Sequence, residues 1–140
     1  MLITRRFEFD AGHRLPHHHS ECRNVHGHRY VLEMTLQGVP VRQHGLATSG
    51  MIVDFGTIKQ VVNAQLLSSW DHAFFVWNND VKMLEALCLV EQQKTIIMEQ
   101  VPTVENMAKL AFEILGAQFG DALKSVRMYE TPNCWAVVQR

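Results

Sequence analysis

The sequence predicts an α+β protein, with a four-stranded antiparallel sheet that carries two long helices on one face. Two observations lead to this prediction. Apolar and polar residues alternate near both ends of the chain, as in strands, whereas the middle holds two long stretches with helical spacing. The four predicted strands are residues 1–10, 26–38, 123–130 and 134–139. Helices that are grouped between pairs of strands are typical of an α+β layer.

The two N-terminal strands have clear inner and outer faces. In the first strand, Ile3, Phe7 and Phe9 share one face at a period of two. In the second strand, the even-numbered residues from Tyr30 onward are apolar and the odd-numbered ones are mostly polar. His26 and His28 continue the apolar face, so we expect both imidazoles on the inner side of the sheet.

The helical stretches cover residues 54–69 and 103–119, and each has an apolar stripe and a capping residue at its start. Between them we expect an irregular segment over 70–80, a short helix over 81–91 and a short strand over 95–98. An open sheet of four strands leaves two edges and one bare face. Association through the edges would cover them.

Length and composition exclude several classes of protein. The chain has 140 residues, which predicts one domain over residues 1–140. With a net charge of −1, the sequence does not predict a basic surface that would bind nucleic acid. No apolar run approaches the roughly 20 residues of a membrane span, and two arginines interrupt the N-terminal segment where a signal peptide would be apolar. Three cysteines favour a reducing compartment, so we expect a cytoplasmic protein.

Histidine is concentrated near the N-terminus: six of the eight histidines lie between His13 and His28. The i, i+2 spacing of His26 and His28 puts their imidazoles on one face of a strand. If the first two strands pair as a hairpin, His13 arrives beside them. Three histidines with a fourth position open are typical of a catalytic zinc site. The alternative is three separate, hydrogen-bonded histidines. The run His17–His19 has no spacing for one rigid site and is expected to be solvated.

Cys22 lies in the loop four residues before His26, among polar neighbours. A zinc ion or an imidazolium nearby would lower the pKa of its thiol. The alternative is a small buried apolar side chain. Cys88 and Cys134 lie in apolar patterns and are expected in the core.

Three acidic groups and one histidine complete the candidate chemistry. Asp71 precedes His72, and a carboxylate in such a loop can orient the imidazole, although most such pairs are simply solvated. Glu130 follows apolar inward positions of its strand and can bind two N–H groups of a guanine-like ring, unless it is only a solvated strand end. Glu105 lies in the first turn of a helix, where the helix dipole alone would explain it.

Together these segments resemble the 6-pyruvoyl-tetrahydropterin synthase family, which includes the bacterial 6-carboxy-5,6,7,8-tetrahydropterin synthases. The resemblance runs from Phe7 to Val138. It is carried by six motifs in order: FDAGHRLP, CRNVHGH, VDFGTIK, Asp71-His72, PTVEN at 102–106 and YETPNCW.

The resemblance implies that the three histidines are zinc ligands and that Cys22 is catalytic, with Asp71 and His72 as its acid/base partners. The residues that match the family's pterin-binding groups are Glu130, Thr103 and Glu105. The family fold is the T-fold, whose subunits join their sheets into a barrel. The implied assembly is a homo-oligomer, with a hexamer favoured over a tetramer.

The implied substrate is 7,8-dihydroneopterin triphosphate, and the implied product is 6-carboxy-5,6,7,8-tetrahydropterin, made for queuosine biosynthesis with release of acetaldehyde and triphosphate. Three residues separate Cys22 from His26, a short spacing that resembles the carboxy enzymes. The pyruvoyl enzyme, or a related pterin side-chain lyase, is the alternative. A third hypothesis is a non-enzymatic metal-binding protein centred on His17–His19. The chain departs from the family in its His-rich loop and in a longer segment over 74–101.

Overall fold

The computed structural model describes residues 1–140. Its strands are β1 (Leu2–His13), β2 (His26–Gln37), β3 (Ala73–Trp77), β4 (Thr95–Met98), β5 (Leu123–Thr131) and β6 (Cys134–Gln139). Its helices are α1 (Phe55–Val62), α2 (Ser68–Trp70), α3 (Val81–Cys88) and α4 (Val104–Phe119). A π-helical turn, Asn63–Leu67, joins α1 to α2, and two short 3₁₀ turns cover Glu21–Arg23 and Gly120–Ala122.

The sheet has six strands in the order β4-β3-β1-β2-β5-β6. The predicted strands β1, β2, β5 and β6 form an antiparallel unit, and β3 and β4 extend it in parallel from β1. The sheet therefore has two strands more than the four expected in it: β4 is the short strand predicted over 95–98, whereas β3 was not predicted. The prediction of an irregular segment over 70–80 is wrong because β3 is buried on both faces. Such a strand has no polar alternation to reveal it.

The main core lies between one face of the sheet and the long helices. The inward residues of β2 from Tyr30 to Leu36 are no more than 1% exposed. The helices contribute buried side chains at the predicted spacing: Ile58, Val62, Leu66, Met107, Ala111 and Leu115. The predicted caps are present, because the side chains of Asp54 and Thr103 accept from backbone N–H groups in the first turns of α1 and α4.

The first predicted helix is continuous but contains the π-helical turn. The extra residue of such a turn shifts the buried stripe. Trp70, expected outside the helix, ends it and packs edge-on against Phe75, with ring centroids 4.9 Å apart. Asp71 and His72 therefore follow directly after a tryptophan that is buried in the core.

A smaller apolar cluster lies on the opposite face of the sheet. There α3 packs over β3 through Phe74, Val76 and Leu87. The prediction of two long helices on one face is confirmed, and α3 adds a helix on the other face.

Cys88 and Cys134 are both exposed, so the prediction that they lie in the core is wrong. No helix is long and apolar enough to cross a membrane.

An ion pair fixes the segment that leaves β1. Arg14 donates from Nε to Asp80 Oδ2 over 2.7 Å and from a terminal nitrogen to Oδ1 over 3.2 Å. The Asp80 side chain is only 5% exposed, and it also caps α3 by accepting from the Met83 N–H. This pair ties the residue after His13 to the start of α3.

We expect Asp80→Ala to lower the free energy of unfolding by about 3 kcal/mol, because it leaves a half-buried guanidinium without its partner. Urea denaturation measures this change. Asp121→Ala is the matched control, since it removes a carboxylate that pairs with Arg140 in full contact with solvent. The control variant should keep the urea midpoint of the parent protein. An Asp80 variant with the same midpoint would contradict a stabilising role for the pair.

Candidate metal centre and adjoining cavity

Three histidines meet where β1 ends and β2 begins. The antiparallel register places His13 opposite His26 and Ala11 opposite His28. The three imidazoles project to the inner face, and one nitrogen of each lies within 4.8 Å of the other two. The hairpin expected from the sequence is therefore present and brings the three side chains together. This group could hold a metal ion.

Backbone carbonyls fix how two of these imidazoles are protonated. His13 donates from Nδ1 to the Pro102 carbonyl over 2.7 Å, and His26 donates from Nδ1 to the Asn24 carbonyl over 2.8 Å. A neutral imidazole that donates through Nδ1 keeps a lone pair on Nε2. The two Nε2 atoms are 3.1 Å apart. Two lone pairs this close repel each other unless a cation lies between them.

The local environment favours a metal ion over a proton as that cation. Burial lowers the pKa of His13 to about 4, and burial also lowers the pKa of His28. The Nε2 atom of His28 is buried and has no hydrogen-bond partner. The 3.1 Å separation is close to the roughly 3.3 Å between two nitrogen ligands of a tetrahedral zinc ion. The three residues therefore fit a metal with three imidazole ligands.

Glycine between the two histidines of β2 is required by the close approach of β1. A Cβ on Gly27 would lie 2.8 Å from the carbonyl oxygen of Ala11. The motif His26-Gly27-His28 thus allows both imidazoles to face inward while the backbones stay in register.

Glu130 extends into this cluster from β5. Its Oε1 atom lies 3.5 Å from His13 Nε2 and 3.9 Å from His28 Nε2, and the side chain is 23% exposed. As expected, the preceding inward positions, Val126 and Met128, are fully buried. The carboxylate adds negative charge beside three nitrogen donors, which makes the site more favourable for a cation.

A cavity of about 570 Å³ adjoins the cluster and collects four of the predicted site residues: Cys22, Thr103, Glu105 and Glu130. Cys22 lies in the short 3₁₀ turn, and its carbonyl accepts from the Leu15 N–H over 2.9 Å. Its side chain is partly buried, so the alternative of a core cysteine does not describe it. The segment with Thr103 and Glu105 reaches this cavity within the same chain.

Asp71 and His72 lie elsewhere. They form the expected pair, with Oδ1 of Asp71 3.0 Å from Nδ1 of His72. His72, however, lines a separate cavity of about 620 Å³ on the other face of the sheet, beside Asp10, Arg29 and Phe74. Within one chain the structure does not bring His72 to Cys22.

The backbone at His72 is held in an unusual conformation. Its φ of 62° is in the left-handed region, and its N–H donates to the Asp10 carbonyl over 2.7 Å. The Asp10 N–H in turn donates to Asp71 Oδ1 over 3.0 Å. Strained residues held in this way cluster at functional sites. The arrangement holds an exposed imidazole beside the Asp71 carboxylate.

Sequence reasoning did not identify Tyr30 as a site residue. Its ring lies against those of His13 and His28, and its hydroxyl is buried without a hydrogen-bond partner. Burial raises the pKa of Tyr30, and the charges of Glu130 and Cys22 raise it further. The signal in the sequence is a tyrosine at an inward position two residues after a site histidine.

The histidine run is exposed, as expected. Only His18 of this run lines the cavity that contains Cys22. The His18 Nδ1 atom accepts from the Ser20 N–H over 3.1 Å. None of the three belongs to the metal-binding group.

The sequence profile of the 6-pyruvoyl tetrahydropterin synthase family matches residues 2–140. The chain belongs to this family. It is similar to the 6-carboxy-5,6,7,8-tetrahydropterin synthase of Rickettsia conorii, with 37% identity over 96% of this chain and 97% of that one. It is also similar to the protein of the same name from Haemophilus influenzae, with 30% identity over 98% and 97% of the two chains.

Solved structures share the fold over the whole chain. The 6-pyruvoyl tetrahydropterin synthase of Caenorhabditis elegans superposes with a TM-score of 0.72 at 25% identity, covering 100% of this chain and 95% of that one. An uncharacterized Wolinella succinogenes protein, WS1659, gives 0.80 at 20% identity, covering 100% and 98%. The predicted α+β T-fold is confirmed.

We expect His26→Ala to lower the affinity for a divalent transition metal by at least about 100-fold, because it removes one of three ligands. Metal content after dialysis against a chelator, measured by plasma mass spectrometry, tests this expectation. A chain with His17–His19 all changed to Ala is the control and should keep one tightly bound ion. If the control loses that ion and His26→Ala keeps it, the assigned cluster is wrong.

Proposed function

We propose that this protein is a zinc-dependent lyase that converts 7,8-dihydroneopterin triphosphate to 6-carboxy-5,6,7,8-tetrahydropterin. The reaction would consume one water molecule, acetaldehyde and triphosphate would leave, and the product would enter queuosine biosynthesis. The observation that carries the proposal is the shared cavity in which Cys22 and Glu130 lie beside the three-histidine cluster. The names of the curated relatives, which match nearly the full chain, favour the carboxy product.

The proposed zinc ligands are His13, His26 and His28. Three neutral imidazoles leave one position open for substrate, as in catalytic zinc sites. When bound there, zinc would act as a Lewis acid that polarises the hydroxyl groups of the substrate side chain. Glu130 would hold the pterin ring, because its two oxygens can accept from the ring N–H and the amino group. Thr103 and Glu105 line the same cavity and would help to hold the ring.

Proton transfer is assigned to Cys22 and to the Asp71–His72 pair. Cys22, as thiolate, would remove a proton from the substrate side chain. Asp71 Oδ1 lies 3.0 Å from Nδ1 of His72, so the carboxylate would orient the imidazole and leave Nε2 available to take up or return a second proton. The resulting loss of triphosphate and cleavage of the side chain need both groups on the same substrate.

We infer that a second copy of the chain brings His72 to Cys22, because the two lie on opposite faces of one sheet. Edge strand β6 is unpaired on its outer side, and Trp135 and Val137 on it are half exposed. Pairing such edges would close the sheets into a barrel. A hexamer of two stacked barrels is the assembly we favour over a tetramer.

Product identification tests the function. We expect zinc-loaded protein, incubated without oxygen with 7,8-dihydroneopterin triphosphate, to yield 6-carboxy-5,6,7,8-tetrahydropterin by mass spectrometry, with acetaldehyde. Cys22→Ala should bind zinc normally but lower turnover by at least about 100-fold. Cys88→Ala, an exposed cysteine away from the cavity, is the control and should turn over normally. The pyruvoyl product instead would assign the protein to the alternative branch of the family. Full activity in Cys22→Ala would contradict its assigned role.

Mixing variants tests the shared site. Cys22→Ala and His72→Ala should each be inactive alone. After they are unfolded and refolded together in equal amounts, about one quarter of the sites should contain both intact residues. We therefore expect activity near that fraction of the parent protein. A mixture as inactive as its components would show that both residues act within one chain.

A further inference from the structure

Two buried side-chain polar atoms in this chain have no hydrogen-bond partner, and both belong to the candidate metal centre. They are Nε2 of His28 and the hydroxyl of Tyr30. The two rings lie edge to face, with centroids 5.7 Å apart. Buried polar groups normally have partners, so two adjacent exceptions indicate that something which binds there satisfies both.

The immediate neighbours of Tyr30 do not satisfy its hydroxyl. Its ring stacks on Phe9 with centroids 5.4 Å apart and meets His13 edge-on at 5.9 Å. The residue itself is 0% exposed. A phenylalanine would fill this place without burying an unpaired hydroxyl, so packing alone does not account for the tyrosine.

The strand register places Tyr30 beside Glu130, the residue that links the metal centre to the cavity. Val31 of β2 pairs with Tyr129 of β5, so the next inward residues, Tyr30 and Glu130, lie opposite each other.

Glu130 is close but is not the partner. Its Oε1 atom approaches His13 Nε2 to 3.5 Å and makes no hydrogen bond with the tyrosine. The acceptor is therefore expected to arrive with a ligand. At this place it would be the part of the ligand that lies nearest the three histidines.

We propose that Tyr30 is a specificity-determining residue whose hydroxyl donates a hydrogen bond to a side-chain oxygen of the pterin substrate at the three-histidine cluster. The inference rests on the proposed function and extends it. A pterin that carries side-chain hydroxyls satisfies Tyr30, whereas a pterin without a side chain leaves it unpaired. The residue thus selects for an oxygenated substituent on the ring.

Binding measurements on two ligands test the proposal. Zinc-loaded protein with Cys22→Ala, which prevents turnover, is titrated with 7,8-dihydroneopterin triphosphate and with 7,8-dihydropterin, which has the same ring but no side chain. Tyr30→Phe in that background should weaken the first ligand about 10-fold and the second less than about 2-fold. Tyr129→Phe is the matched control, since its hydroxyl bonds to Arg127 on the outer face, and it should change neither affinity.

Two further readouts separate a role in binding from a role in folding. Zinc content should be unchanged in Tyr30→Phe, and the melting temperature of the unliganded protein should be unchanged or higher, because the lost hydroxyl had no partner. A lower melting temperature with equal affinities would show a structural role and would overturn the proposal.

The remaining outcomes are also decisive. Equal losses for both ligands would show that Tyr30 acts through the ring-binding Glu130 and would overturn the proposal, as would no loss for either. Glu130→Gln should weaken both ligands, which makes it the reference for a ring-binding defect. If the parent background binds neither pterin, the proposed function itself fails, and the inference about Tyr30 fails with it.

Discussion

The Nε2 atoms of His13 and His26, both with lone pairs and 3.1 Å apart, impose the central constraint on this structure. Their repulsion is relieved only by a cation. The carbonyls of Pro102 and Asn24 bind Nδ1 of these two rings and so keep the lone pairs on Nε2. The register of β1 with β2 brings the two Nε2 atoms together. A slip of β2 by one residue would move both His26 and His28 to the other face of the sheet and leave Gly27 facing the core.

Because the proposed catalytic groups lie on two faces of the sheet, the proposed chemistry requires a second copy of the chain. Cys22 and Glu130 open to the inner cavity, whereas His72 projects from the outer face. In the proposed function, a single chain would hold the metal and the pterin ring but would lack one of the two proton-transfer groups at that site. His72 is held by its left-handed backbone, by its N–H bond to the Asp10 carbonyl and by the nearby Asp71 carboxylate, which suits a group that would act on a substrate bound by a neighbouring chain.

The sequence predicted the structural features that a local residue pattern encodes, and it did not predict those that depend on long-range topology. Alternation in β2 and the hairpin geometry were sufficient to bring His13 to His26. β3 was missed because a strand buried on both faces resembles any short apolar run. Cys134 was misplaced because its neighbours are apolar, although β6 is an exposed edge. His72 and Cys22 are separated because the loop with His72 runs on the opposite face of the sheet from Cys22. No local sequence pattern shows on which face of the sheet a loop will lie.

Tyr30 and His28 link binding to stability at this site. Each buries a side-chain polar atom that has no hydrogen-bond partner, so the unliganded protein gives up free energy there. A ligand that completes those partners binds the folded state alone and therefore raises its stability. The cost of the unpaired groups is also a source of selectivity, because a molecule that satisfies only some of them recovers only part of that free energy. In the proposed function, the buried atoms that would bind the metal and the substrate side chain would therefore also determine selectivity.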